Sequence, residues 1–103
     1  MRPIISIKNS LAQGGFDQLL SHIYCRPAAQ LQPFRDRITC VADGFMKEFD
    51  RDENTEAAIF SAPGRTEIGG NHTDHQRGKV LTGSVDLDAV ACAAPNGTGT
   101  VRI

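Results

Sequence analysis

Residues 79–93 have the sequence KVLTGSVDLDAVACA, in which alternate positions are small or apolar. The alternating residues are Leu81, Gly83, Val85, Leu87, Ala89, Ala91 and Ala93. A period of two is typical of a β-strand, in which successive side chains point to opposite faces. Because the run is long for one strand, we expect a break or bend near Asp86 and Asp88.

The segments on either side extend the strand prediction. Residues 57–62, AAIFSA, form a short apolar run typical of a strand buried on both faces, and Pro63-Gly64 is expected to end it. Residues 95–99, PNGTG, predict a turn between two strands, because Asn-Gly is a good hairpin signal. The alternation resumes at residues 100–103, so strands are expected over 57–62 and 79–103, the last one cut off in mid-pattern.

Residues 1–50 are expected to be helical. A short helix is predicted between the Gly14-Gly15 break and Pro27, because apolar residues recur there at helical spacing. They are Phe16, Leu19, Leu20 and Ile23. A longer amphipathic helix follows, with Pro33 in its first turn. Its apolar face comprises Phe34, Ile38, Val41, Ala42, Phe45, Met46 and Phe49. Helices followed by strands predict an α/β chain of the α+β type, folded as one domain over residues 1–103.

Composition excludes several classes of partner. The 12 acidic residues nearly balance the 11 basic ones, so no nucleic-acid partner is expected. No apolar run approaches the roughly 20 residues of a membrane helix, and the apolar patch at the N-terminus is too short for a secretory leader. Cys25, Cys40 and Cys92 are far apart, which fits neither a disulfide scaffold nor a CxxC metal motif. They predict buried or half-buried thiols in a reducing cytoplasm.

Chemistry-bearing residues are concentrated between the two strand regions, in residues 62–78, APGRTEIGGNHTDHQRG. Three interpretations are open. His72, Asp74 and His75 are natural metal ligands, although in an extended segment His75 points away from the other two. Carboxylate, amide and imidazole groups together also suit a polyol or sugar, whose hydroxyls both donate and accept hydrogen bonds. The third interpretation is a polar, solvated loop with no ligand.

Residues 62–75, APGRTEIGGNHTDH, closely resemble the N-terminal signature of galactokinases, commonly APGRVNLIGEHTDY. Eight of fourteen positions coincide without a gap. They are Ala62, Pro63, Gly64, Arg65, Gly70, His72, Thr73 and Asp74. The Gly-x-Val-Leu run that follows the signature in that family is also present, at residues 78–81. The resemblance is clear over the second half of the chain and loose over the first.

The resemblance implies a GHMP kinase that transfers phosphate from ATP, with Mg²⁺, to galactose, giving galactose 1-phosphate and ADP. It places Arg65 beside the reacting sugar hydroxyl as a catalytic and substrate-binding residue, where its fixed charge would favour an alkoxide-like nucleophile. His72 and Asp74 match the residues that bind the sugar. Asn71 takes the place of a sugar-binding Glu, which leaves the preferred sugar open. His75 and Glu67 also depart from the pattern, standing where Tyr and Asn are usual.

The family's serine-rich phosphate loop is not found in these 103 residues. The resemblance therefore implies an incomplete GHMP-kinase N-terminal domain, with helices packed on part of a mixed sheet and the remainder of the kinase missing. Such a chain would supply the sugar-binding side of the site, bind no ATP and no metal by itself, and be inactive alone. The alternative is a non-catalytic sugar-binding or sensor module derived from the same family.

Overall fold

The structure, a computed structural model, describes residues 1–70 and 73–103. Within them, three α-helices fill most of the first half: α1 (Ile4–Ala12), α2 (Asp17–Tyr24) and α3 (Gln32–Glu48). A single 3₁₀ turn, Ala28–Gln30, separates α2 from α3. The two predicted helices are confirmed as α2 and α3, and Pro33 lies in the first turn of α3 as expected. Helix α1 lies within the range expected to be helical, but its bounds were not predicted.

Helix α1 forms because Ile4, Ile7 and Leu11 recur at helical spacing and are all buried. It ends at the predicted glycine break. Gly14 has a φ of +75°, a conformation that side chains disfavour, and the Gly15 amide donates to the Ser10 carbonyl oxygen at 2.7 Å. The glycines therefore turn the chain from α1 into α2.

The described strands form one three-stranded sheet in the order β1 (Arg2–Pro3), β2 (Glu56–Gly69) and β3 (Leu81–Ala93). The α+β class is confirmed. Both pairings among residues 1–70 and 73–103 are antiparallel, whereas a mixed sheet was expected. The chain thus presents a long hairpin, β2–β3, with the short β1 on its far edge.

Strand β2 does not end at Pro63-Gly64, as the sequence suggested, but continues to Gly69. Pro63 pairs with Asp88, the next pair is Arg65 with Ser84, and Gly64 lies opposite residues 85–87. The proline is tolerated because the ladder is interrupted at this bulge, where a missing N–H costs little. The break expected near Asp86 and Asp88 is this bulge. We call residues 58–63 with 88–93 the inner half of the hairpin, and residues 65–69 with 81–84 the outer half.

The strand predicted to continue to residue 103 is wrong after Ala93, because residues 94–103, all described, contain no strand. The turn over residues 95–99 exists but joins no second strand to β3. Asn96 organises it: its Oδ1 accepts from the Thr98 amide at 2.9 Å, and its Nδ2 donates to the Thr100 carbonyl oxygen at 2.8 Å. The asparagine side chain therefore takes up backbone groups that a strand partner would otherwise pair.

The helices cover one face of the inner half. One cluster of buried side chains comprises Ile7, Leu11, Leu20, Leu31 and Ile38, with Ile59 and Val90 of the sheet packed against it. A second comprises Ile4, Ala42 and Ala57, with Cys92 against it. The helix-facing residues of β3 are therefore the even-numbered ones. Cys92 is half-buried, but Cys25 and Cys40 are exposed, so the expectation that all three thiols are at least half-buried is wrong.

The opposite face of the inner half is covered by none of the described elements, and we call it the uncovered face. It comprises Ala58, Phe60, Ala62, Ala89, Ala91 and Ala93, which pair across the two strands. Phe60 is 57% exposed and Leu81 is 62% exposed, so both lack a full apolar cover. The accessible surface is 7557 Å², against about 5,700 Å² for a compact chain of this mass. The radius of gyration is 16.7 Å, against about 13 Å for a compact domain of this length.

Candidate functional site

The outer half of the hairpin carries the first part of the polar segment. Arg65 lies on β2 opposite Ser84, and Glu67 lies opposite Thr82. Since strand residues alternate between faces, Arg65 and Glu67 share the face on which Ser61 lies, the face that packs on the helices farther in. Arg65 and Glu67 are exposed. The sheet therefore presents a guanidinium and a carboxylate on one face, beyond the helices.

Two signature glycines are required by close approach. A Cβ atom at Gly64 would lie 2.8 Å from Val85 Cγ2 and 3.2 Å from the Leu87 carbonyl oxygen. At Gly70, where φ is +114°, a Cβ atom would lie 2.7 Å from the Lys79 carbonyl oxygen. A side chain at either position would clash with the opposite strand or its extension. These glycines let the two strands approach at the bulge and at the start of the connecting loop.

Thr73 holds the ends of that loop together. Its Oγ1 donates to the Gly70 carbonyl oxygen at 2.8 Å. Its own carbonyl oxygen accepts from the Gln76 amide at 3.0 Å and from the Gly78 amide at 2.9 Å. These bonds close a 3₁₀ turn, Asp74–Gln76, at the tip of the hairpin. One threonine thus ties Gly70, which precedes Asn71 in the sequence, to Gln76 and Gly78, which follow Asp74.

The predicted site residues are therefore distributed over a strand and a turn. Arg65 lies on β2, and Asp74 begins the turn at the tip. Asn71 and His72 lie outside the described residues. The metal hypothesis also depends on His72 and stays untested. Among the described side chains, those of residues 1–70, 73 and 75–103, no three His, Cys, Asp or Glu are grouped as metal ligands.

A second polar cluster, which the sequence did not reveal, lies where the helices meet the hairpin. Asp88 accepts from Tyr24 Oη at 2.9 Å and from Ser61 Oγ at 2.6 Å, both on Oδ2. Arg37 Nη1 donates to Oδ1, and Arg37 Nη2 donates to the Asp88 backbone oxygen at 2.6 Å. Only 8% of the Asp88 side chain is exposed. We call Tyr24, Arg37, Ser61 and Asp88 the Asp88 cluster.

The cluster changes the acidity of two of its members. Burial alone would raise the pKa of Asp88, but the hydrogen bonds from Ser61, Arg37 and Tyr24 stabilise the carboxylate and hold its pKa below the ordinary value. Burial and the hydrogen bond to Asp88 raise the pKa of Tyr24. The cluster is therefore an ionised carboxylate with a neutral phenol at neutral pH. The cluster has no clear signal in the sequence, because Asp88 lies on the face opposite the small and apolar positions of the strand pattern, where an acidic residue is ordinary.

A cavity of about 370 Å³ lies beside this cluster, lined by Tyr24, Phe34, Arg37 and Asp88 among others. The rings of Tyr24 and Phe34 stack with their centroids 4.0 Å apart and form an aromatic wall. Asp86, at the cavity rim, pairs with Arg26 at 2.7 Å. The carboxylates of Asp86 and Asp88 already accept hydrogen bonds from protein donors. The cavity is therefore a shaped space whose two acidic residues are already paired.

Comparisons with known proteins identify the family. A family model described as the galactokinase galactose-binding signature matches residues 43–95, just over half of the chain. The match runs from the last turns of α3 through the whole β2–β3 hairpin and includes Arg65 and the loop closed by Thr73. Searches of curated proteins and of solved structures gave no match. None of the described helices is long and apolar enough to cross a bilayer. The chain belongs to the galactokinase family, and its hairpin carries that family's galactose-binding signature.

Proposed function

We propose that this chain supplies the sugar-binding side of the active site of an ATP-dependent galactokinase. Galactose is the proposed sugar, and Arg65, Asn71, His72 and Asp74 are the proposed residues that bind it. The observation that carries the proposal is the family match over residues 43–95, which includes these positions. The exposed Arg65 on a paired strand agrees with it, because a paired strand holds a polar group in a fixed place.

Arg65 is the residue we assign to the chemistry. In phosphoryl transfer, a sugar hydroxyl oxygen forms a bond to the terminal phosphorus of the nucleotide while the bond to the departing diphosphate breaks. A guanidinium is always charged at neutral pH, so at the reacting hydroxyl it would favour the negative charge that develops on the oxygen. Asp74 would accept hydrogen bonds from ring hydroxyls, and Asn71 and His72 would both donate and accept.

ATP and Mg²⁺ belong to the proposed reaction, and one observation speaks against a phosphate loop in the described part of the chain. The one glycine-containing turn after the hairpin has its amides engaged: the Thr98 amide donates to Asn96 Oδ1, and the Thr100 amide donates to Thr98 Oγ1 at 3.3 Å. A phosphate loop needs such amides pointing at the phosphates. We therefore propose that the nucleotide is bound by other polypeptide, and that residues 1–103 alone transfer no phosphate. ATP turnover by the purified chain would contradict that part of the proposal.

Sugar recognition is tested by ¹⁵N NMR titration of the chain with galactose, with the C4 epimer glucose as control. We expect galactose to shift amide resonances of residues 65–78, and glucose to shift them less. Arg65→Gln, which removes the charge and keeps an N–H donor group, is expected to abolish the response. Gln30→Ala, on the 3₁₀ turn between α2 and α3, is the control and is expected to leave it unchanged. Equal responses to both sugars, or none to galactose, would contradict the proposal.

The alternative, a non-catalytic sugar-binding or sensor module, is distinguished from one side of a shared active site by its higher affinity for galactose. Such a module has a complete pocket, so calorimetry with galactose is expected to give saturable heat. A chain that forms one side of a shared pocket is expected to give weak NMR shifts without saturable heat. Either function is proposed for the cytoplasm, where unpaired thiols such as Cys25 and Cys40 remain reduced.

A further inference from the structure

The Asp88 cluster lies next to the bulge of the hairpin. Pro63 and Asp88 form the last pair of the inner half, and Arg65 and Ser84 form the first pair of the outer half. Between them, Gly64 lies opposite three residues of β3. A bulge of this kind bends and twists the ladder, so its geometry sets where the outer half points. Asp88 pairs with Pro63, and Arg65 follows Pro63 by two residues on β2.

Asp88 is held by three different elements. Tyr24 comes from α2, Arg37 from α3 and Ser61 from β2, and their contacts with Asp88 span 64, 51 and 27 residues of sequence. Arg37 also binds the Asp88 backbone oxygen, so both the side chain and the main chain of Asp88 are fixed to α3. Three donors occupy most of the acceptor capacity of this nearly buried carboxylate, which favours a mechanical role over ligand binding.

We propose that Asp88 is a positioning residue for the sugar-binding site: it fixes the bulge against helices α2 and α3 and so determines where Arg65 and the rest of the outer half are held. The part of this inference that concerns sugar rests on the proposed function. The part that concerns the hairpin does not, because it follows from the cluster and the register alone.

The chain contains a matched control. Asp86 lies in the same bulge, carries the same charge and also pairs with an arginine of the helical half, Arg26. Its side chain is 65% exposed, against 8% for Asp88. An exposed ion pair contributes little because water screens it, whereas losing an ionised partner from a nearly buried network leaves hydrogen-bonding groups unsatisfied. Asp86→Asn and Asp88→Asn therefore make the same change of charge within three residues, in different surroundings.

Amide hydrogen exchange tests the placement without any ligand. In Asp88→Asn we expect amides of the outer half to exchange about tenfold faster, as loss of a hydrogen bond to a charged group predicts. Amides of α3 and of the inner half are expected to exchange faster by a smaller factor, set by the loss of global stability, and Asp86→Asn is expected to match wild type throughout. Unchanged exchange in the outer half would overturn the proposal. Uniform acceleration would also overturn it, since that is the behaviour of a contact that only stabilises the fold.

If Asp88→Asn does not fold, Tyr24→Phe decides the question, because it removes one donor and keeps the ion pair. Selective acceleration in the outer half supports the proposal, and wild-type rates there overturn it. The link to sugar is tested separately by titration with galactose. Asp88→Asn is expected to weaken the response and Asp86→Asn to leave it unchanged. Should the wild-type chain not respond to galactose, the proposed function fails, while the exchange pattern still decides whether Asp88 positions the hairpin.

Discussion

Gly64 and Val85 meet across the bulge so closely that a Cβ atom on the glycine would lie 2.8 Å from Val85 Cγ2. The sequence suggested that Pro63-Gly64 ends a strand, but in the structure the glycine lets the strand pass through a bulge. The site and the fold therefore depend on the same position, because Arg65 follows it directly.

Gly64→Ala is expected to destabilise the chain by about 1–3 kcal/mol, because the added methyl group overpacks the contact with Val85. Urea unfolding followed by circular dichroism measures the change. Gly44→Ala is the control of opposite sign. Gly44 lies within α3, where an added Cβ atom would have no described neighbour within 4 Å, so alanine should stabilise the helix by up to about 1 kcal/mol. Equal effects of the two substitutions would contradict this account of the bulge.

The free energy of unfolding is expected to decrease as pH falls, and part of this decrease is due to Asp88. The folded-state pKa of Asp88 is below its unfolded value, so its contribution is complete above the unfolded pKa and is lost as pH falls through the folded one. Thermal unfolding should therefore separate wild type from Asp88→Asn at pH 6, with the difference shrinking below about pH 4. Asp86→Asn should follow the wild-type profile. A difference that does not change with pH would mean that the Asp88 charge is not what stabilises the cluster.

The uncovered face predicts self-association. The six residues of this face carry no charge, and Phe60, at the centre of the face, is 57% exposed. Phe60→Lys is expected to shift the sedimentation distribution towards monomer, because a charge at that position opposes burial of the face. Val101→Lys adds the same charge at a residue that is 87% exposed and lies outside the sheet, so it is expected to have less effect. If both variants sediment alike, the face is not the associating surface.

The three thiols are expected to react at different rates. Cys25 and Cys40 are exposed, whereas Cys92 is half-buried against the second core cluster, and burial raises its pKa. Alkylation at pH 8 should therefore add two groups before the third, since the thiolate is the reacting form. Mass spectrometry of intact protein and peptides identifies the order, and urea should make the three rates similar. Early labelling of Cys92 in native buffer would contradict the packing of β3 on the helices.

Local pattern was sufficient to predict α2, α3, β3 and the position of the break in β3. Each depends on a period of 3.6 or two within a short window, which is what a sequence displays directly. The exposure of Phe60 and Leu81 was also predictable, since a strand in a small chain needs covering elements to bury both faces. The family signature was visible because its residues are contiguous.

Features that depend on distant contacts were not predictable. Pro63 can lie within a strand only because Asp88 and its bulge lie opposite, and the Asp88 cluster joins residues up to 64 positions apart. Residues 100–103 alternate like a strand but have no strand partner among the described residues. Helix α1 is a different case: its three buried apolar residues carry the spacing, but the patch is short and was considered only as a possible leader.

The surplus of native surface has a consequence for how the chain unfolds. Denaturant sensitivity and the heat capacity of unfolding both scale with the area newly exposed when the native state is lost. The uncovered face and the outer half of the hairpin are not packed against the helices. Much of their surface is therefore already exposed to solvent before the chain unfolds. The transition in urea should consequently be shallow for a chain of 103 residues, with weak cooperativity located in the helices and the inner half they cover.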